Sequence, residues 1–75
     1  MSLGHYTIID AFISANKQRD DMTGDLCKDA LNDPNFPTGD YMGQIHYFKS
    51  LSEHYPVLKS HISNFFKEVD KFKTN

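Results

Sequence analysis

The chain has 75 residues, enough for one domain with a thin core, since a chain this short buries only about 60–65% of its unfolded surface. Hydrophobic residues at 39% and charged residues at 24% exclude a disordered composition. Ten acidic against eight basic side chains leave a net charge of −2, which argues against a generic polycationic nucleic-acid binder.

Apolar spacing is helical along the whole chain. From Tyr6 to Asn16, the residues Tyr6, Ile8, Ile9, Phe12 and Ile13 share one broad face, with Thr7, Asp10, Ala11 and Ser14 opposite. Lys17–Asp21 has no apolar residue and reads as a connection, ending in Asp20 or Asp21 as the cap of a second helix to about Asn32. Met22, Leu26 and Ala30 form its stripe, widened by Thr23, Cys27 and Leu31; Gly24, Asp25, Lys28 and Asp29 fall on the other side. Gly24 weakens such a helix by about 1 kcal/mol relative to Ala. The stretch Asn32–Asp40 holds two prolines and a glycine and must interrupt the helix, with Phe36 expected to plug the loop into the core. A third helix runs from about Asp40 to His54, capped near Thr38 or Asp40, with Tyr41, Ile45, Phe48, Leu51 and Tyr55 in one sector and His46, Lys49 and Glu53 facing away. Pro56 suits the first turn of a fourth helix, whose stripe Leu58, Ile62, Phe65, Phe66, Val69 and Phe72 extends to about Lys73. The expected fold is all-α, a compact bundle of four short helices in a single domain.

Chemistry is sparse in this pattern. His5, His46, His54 and His61 lack the four-residue spacing of a helical metal pair, so no metal is expected. Cys27 has no cysteine partner and no histidine placed to activate it, and is expected to be a semi-buried small hydrophobe. The pairs Asp20/Asp21, Asp25/Asp29 and Asp29/Asp33 read as caps and solvated faces, and the stretch from Asp29 to Asp40 lacks the glycine and closing Glu of a calcium loop. Neither a phosphate-binding glycine loop nor a catalytic triad signature occurs, so no cofactor, no small-molecule substrate and no enzymatic activity are expected. A single cysteine allows no intramolecular disulfide, and no apolar run reaches the 18 residues of a membrane span. Met1-Ser2-Leu3-Gly4 is neither basic nor apolar enough for a signal peptide and is given no part in the fold. The expected location is the cytoplasm.

Two surface features remain. Lys59, Lys67 and Lys71 project within about 120 degrees of one another on the fourth helix, beside Ser60 and Asn64, with Lys73 at the end and Lys17 and Arg19 as candidates to join them. Met42 and Tyr47 lie off the apolar stripe of the third helix and are candidate exposed contacts.

Asp33-Pro34-Asn35-Phe36-Pro37, followed by Asp40-Tyr41 and Ile45, resembles the YozE family of short bacterial proteins. The likeness runs from Tyr6 to Phe72 and takes in Leu26, Ala30 and the closing Asp70-Lys71-Phe72. Val69 stands where that family usually has tryptophan, and the turn after Phe36-Pro37 is about one residue short, as in a divergent member. The resemblance implies a bundle like the sterile alpha motif (SAM) domain. Folds of that kind serve both protein and nucleic-acid partners, so the fold alone does not fix function. The expected role is a non-enzymatic module binding another protein or a second copy of itself, with Asp25 and Asp29 of one copy facing Lys67 and Lys71 of the next. The alternative is weak DNA or RNA binding through the lysines of the last helix.

Overall fold

The structure is a computed structural model that describes residues 6–74; the expectations for Met1–Gly4 and His5 lie outside the described residues. Four α-helices follow in order: α1 (Ile8–Asn16), α2 (Met22–Asn32), α3 (Tyr41–His54) and α4 (Lys59–Thr74). The described residues form no strand. The radius of gyration is 11.8 Å, close to the value of about 11 Å for a compact chain of this length.

Each helix start has a named cause. Thr7 caps α1: its hydroxyl accepts from the Asp10 N–H at 2.9 Å, and the Asp10 carboxylate accepts from the Thr7 N–H at 3.1 Å, a reciprocal capping box. Asp21, rather than Asp20, caps α2 by accepting from the Gly24 N–H at 2.9 Å. Asp40, rather than Thr38, caps α3 through the Gly43 N–H at 3.0 Å. Pro37–Asp40 closes as a tight turn, with the Asp40 N–H donating to the Pro37 carbonyl at 3.2 Å. Gly39 has a φ of 81° there, which side chains with a Cβ adopt reluctantly. Pro56–Leu58 departs from the expected fourth helix: it is one 3-10 turn, and the α-helix starts at Lys59. A proline fits that turn because its missing N–H has no helical partner to lose.

The core is one cluster of Ile9, Phe12, Ile13, Leu26, Cys27, Ala30, Phe48, Ile62, Phe65 and Val69. Phe48 and Phe65 meet at 4.6 Å between ring centroids, and Phe12 stands edge-on to Phe65 at 5.2 Å. Phe36 does reach in from the loop, edge-on to Tyr47 at 4.9 Å and to Phe48 at 5.9 Å. Each such pair contributes about 0.5–1.5 kcal/mol beyond area burial.

Several residues expected on the apolar faces lie outside. Tyr6, Met22, Leu31, Tyr41 and Tyr55 are exposed, because a broad helical stripe is wider than the surface its neighbours can cover in a bundle this small. Conversely, Asp10 and Gly24, both expected on outer faces, are buried. A Cβ on Gly24 would collide with the Arg19 carbonyl and its neighbours, so the glycine lets α2 pack against the connection that leads into it. Cys27 is fully buried, not half-buried, and burial pushes its thiol up to about 11.

Asp10 belongs to a closed polar cluster. Its Oδ1 accepts from the Gln44 amide at 2.7 Å and its Oδ2 from the Gly39 N–H at 2.9 Å, while the Thr7 hydroxyl donates to Gln44 Oε1 at 2.6 Å. Gln44 is 0% exposed. The cluster ties the start of α1, the Pro37–Asp40 turn and the start of α3 together, leaving no buried side-chain polar atom among the described residues without a partner.

Candidate interaction surfaces

Two grooves and a set of surface charges are the available material. The first groove, about 490 Å³, runs along α3. Gly43 and Ser50 leave the space, and His46, Tyr47, Leu51, His54 and Tyr55 stand around it, with Asp33, Asn35 and Pro37 of the loop closing one end. These helix positions recur at three- and four-residue intervals, so they form one face.

Tyr47 was expected as a free exposed contact, and the structure corrects this. Its ring is half-buried against Phe36 and Phe48, and its hydroxyl donates to Asp33 Oδ2 at 2.7 Å. Burial first, and then the neighbouring Asp33 carboxylate, pushes the phenol up to about 12. Asp33 is held below the usual carboxylate range by the Asn35 N–H and by that hydroxyl. Tyr47 therefore anchors the loop to α3. Met42, 71% exposed, does lie on the outer surface but outside the lining of this groove.

The second groove, about 590 Å³, lies between α1 and α4. Phe12 and Phe72 supply its apolar part, edge-on to each other at 5.5 Å. Asn16 comes from α1, and Asn64, Lys67, Glu68, Asp70 and Lys71 come from α4. Lys67 and Lys71 are one turn apart and exposed, and neither has an ion-pair partner among the described residues.

The other charges nearby are engaged. Arg19 bridges Asp21 and Glu68, each at 2.6 Å, and also donates to Asn16 Oδ1 at 3.2 Å. Arg19 thus does not join the basic strip; it is an intramolecular bracket. Its hydrogen bonds hold the Glu68 and Asp21 carboxyls below their ordinary range and raise its own pKa. Asp70 sits 3.7 Å from Lys73. Lys59 is exposed at the start of α4, outside the groove lining. Lys67 and Lys71 line the groove, and Lys59, exposed two turns earlier on the same helix, lies beyond it.

Asp25 and Asp29 are exposed on the outer side of α2. Among the described residues no group of three His, Cys, Asp or Glu side chains converges to hold a metal, and no helix is long and apolar enough to cross a membrane. The helix faces flanking the two lysines were legible in the sequence. The α1 wall of their groove was not, because nothing in a linear pattern says which helices become neighbours.

Comparison with protein-family models, characterised proteins and solved structures finds no match to this chain.

Proposed function

We propose that this chain is a non-enzymatic, SAM-like binding module of the bacterial cytoplasm whose partner is a protein, either a different chain or a second copy. The observation that carries the reading is the make-up of its surface. The open groove along α3 combines aromatic walls with a single carboxylate, Asp33, and Met42 on α3 and Val57 in the turn after it add exposed apolar area, Val57 being 78% exposed. Aromatic residues and methionine are the side chains enriched in protein interfaces.

A second reading, weak DNA or RNA binding, draws on the unpaired Lys67 and Lys71 with Lys59. It is disfavoured by Glu68 and Asp70, which line the same groove and would meet phosphate with like charge. Two or three phosphate contacts would also give a shallow salt dependence and low affinity.

The test uses the isotope-labelled protein in a bacterial lysate, where binding to a larger macromolecule broadens its amide signals. The expected result is broadening that survives nuclease and disappears after protease. Broadening removed by nuclease alone would transfer the function to nucleic acid.

A further inference from the structure

We propose that two copies of this chain pair through α3, laid antiparallel on each other, as a closed dimer. The proposal rests on the protein-binding reading above and gives it a surface and a partner, a second copy.

The groove along α3, about 490 Å³, holds both halves of such a contact. Gly43 leaves a gap near the start of the helix, and Tyr55, just past its end, stands out at 53% exposure. A second α3 running the opposite way brings its Tyr55 to the Gly43 gap and receives the first copy's Tyr55 at its own. One surface thus carries a gap and the side chain that fills it, which is what a contact related by a twofold axis requires.

The charges beside the groove repeat the match. Lys49 and Glu53 lie one turn apart on the outer side of α3, both exposed. Neither has an ion-pair partner among the described residues. The antiparallel arrangement sets Lys49 of each copy against Glu53 of the other, whereas a parallel one sets like against like. Gly43 with Tyr55 centres on position 49, and Lys49 with Glu53 on position 51, so the axis passes beside Ser50. Ser50 is exposed and small enough to let the helices approach. Exposed ion pairs add little affinity; here they fix direction and register, and the aromatic wall supplies the contact.

The 14 residues of α3 make a helix about 21 Å long. A contact of that length is at the small end of specific interfaces, so the dimer should be weak and come apart on dilution. Nucleic acid fits this face less well, because the groove is lined by no lysine or arginine and includes the Asp33 carboxylate. The other contact between copies, Asp25 and Asp29 on Lys67 and Lys71, joins two different surfaces. It would build rings or filaments instead of stopping at a pair.

The experiment follows sedimentation and amide shifts at low salt over a dilution series down from about 1 mM, the scale of a weak complex. The expected result is a monomer–dimer equilibrium with no larger species and concentration-dependent shifts at Gly43, His46, Ser50 and Tyr55. Lys49→Glu and Glu53→Lys change exposed residues, so both variants should fold as the wild type does. Each puts like charges at both pairs and should dimerise at least about fivefold more weakly. Mixed in equal amounts, the two variants should recover a dimer of wild-type strength, since every Glu then faces a Lys.

A chain that stays monomeric throughout the series, growth beyond a dimer, shifts confined to α2 and α4, or a mixture that fails to associate would each overturn the proposal. A monomer whose α3 amides are broadened by a lysate protein would overturn it in favour of a different chain. The protein-binding reading stands or falls separately, on whether the lysate broadening survives nuclease.

Discussion

The bundle has two joints where three chain segments meet, and they are built on opposite principles. At one, the start of α1, the Pro37–Asp40 turn and the start of α3 converge on Asp10 and Gln44, which are buried and hydrogen-bonded to each other. At the other, the end of α1, the start of α2 and the middle of α4 converge on Arg19, whose side chain remains 33% exposed while it bridges Asp21 and Glu68. The first joint has removed water from its polar groups, so each lost partner leaves an unsatisfied atom in a poor solvent. The second has water in reserve to replace any partner it loses. What fixes the second joint is steric: Gly24 lies against the backbone of Arg19, and the Lys28 ammonium donates to the Arg19 carbonyl at 3.1 Å.

The difference predicts an order of damage. Gln44→Ala breaks the buried joint, leaving Asp10 Oδ1 and the Thr7 hydroxyl proton without partners beside a new cavity, and should cost about 3 kcal/mol in denaturant unfolding. That is a large share of the stability of a domain this size. A loss under about 1 kcal/mol would mean that water enters and takes over. Gly24→Ala comes next. Helix propensity alone would make alanine stabilising by about 1 kcal/mol, but the collision with the Arg19 backbone should reverse the sign and leave a net loss of about 1–3 kcal/mol. A raised melting temperature would show that the connection yields.

The smallest effect belongs to Arg19→Met, at less than about 1 kcal/mol and shrinking as salt is added. Its pH dependence has a definite sign. Glu68 and Asp21 have folded pKa values below their ordinary ones because Arg19 donates to them. Their contribution is therefore complete above about pH 4.5, the upper end of the unfolded carboxylate range, and is lost as pH falls through the folded values. The stability gap between wild type and variant should close in acid. A gap constant with pH would assign the role of Arg19 to the packing of its aliphatic stem.

The helices were legible in the sequence, and the caps of α2 and α3 to within two residues, because capping is local: Asp21 and Asp40 each act on a residue three positions away; the Thr7 cap was not, since Thr7 reads as part of the first helix. Phe36 was legible as well, an aromatic in a Pro/Gly-rich loop having little reason to be there except to reach the core. The joints were not. Asp10 and Gln44 are 34 positions apart, and hydrophobic periodicity assigns every polar residue to solvent, so a buried pair that satisfies itself leaves no trace in the pattern. Gly24 was misread for a related reason. Its propensity cost is a property of the residue, whereas its benefit depends on where Arg19 passes. For the candidate site, the lysine pair of α4 is readable, but Tyr47 reads as a surface residue because its partners, Phe36 and Asp33, come from the loop.

Cys27 gives the molecule a built-in clock. The thiol is 0% exposed, on a helix that packs against both α1 and α4, and its proton is held until about pH 11. A thiol reagent at neutral pH thus finds neither a reachable sulfur nor a thiolate in the closed protein. Modification must wait for α2 to come away from its neighbours, and the labelling rate divided by that of an unfolded peptide gives the fraction of time the core stands open. Since this is the only cysteine in the chain, the same reading serves wild type and variants without any engineered probe.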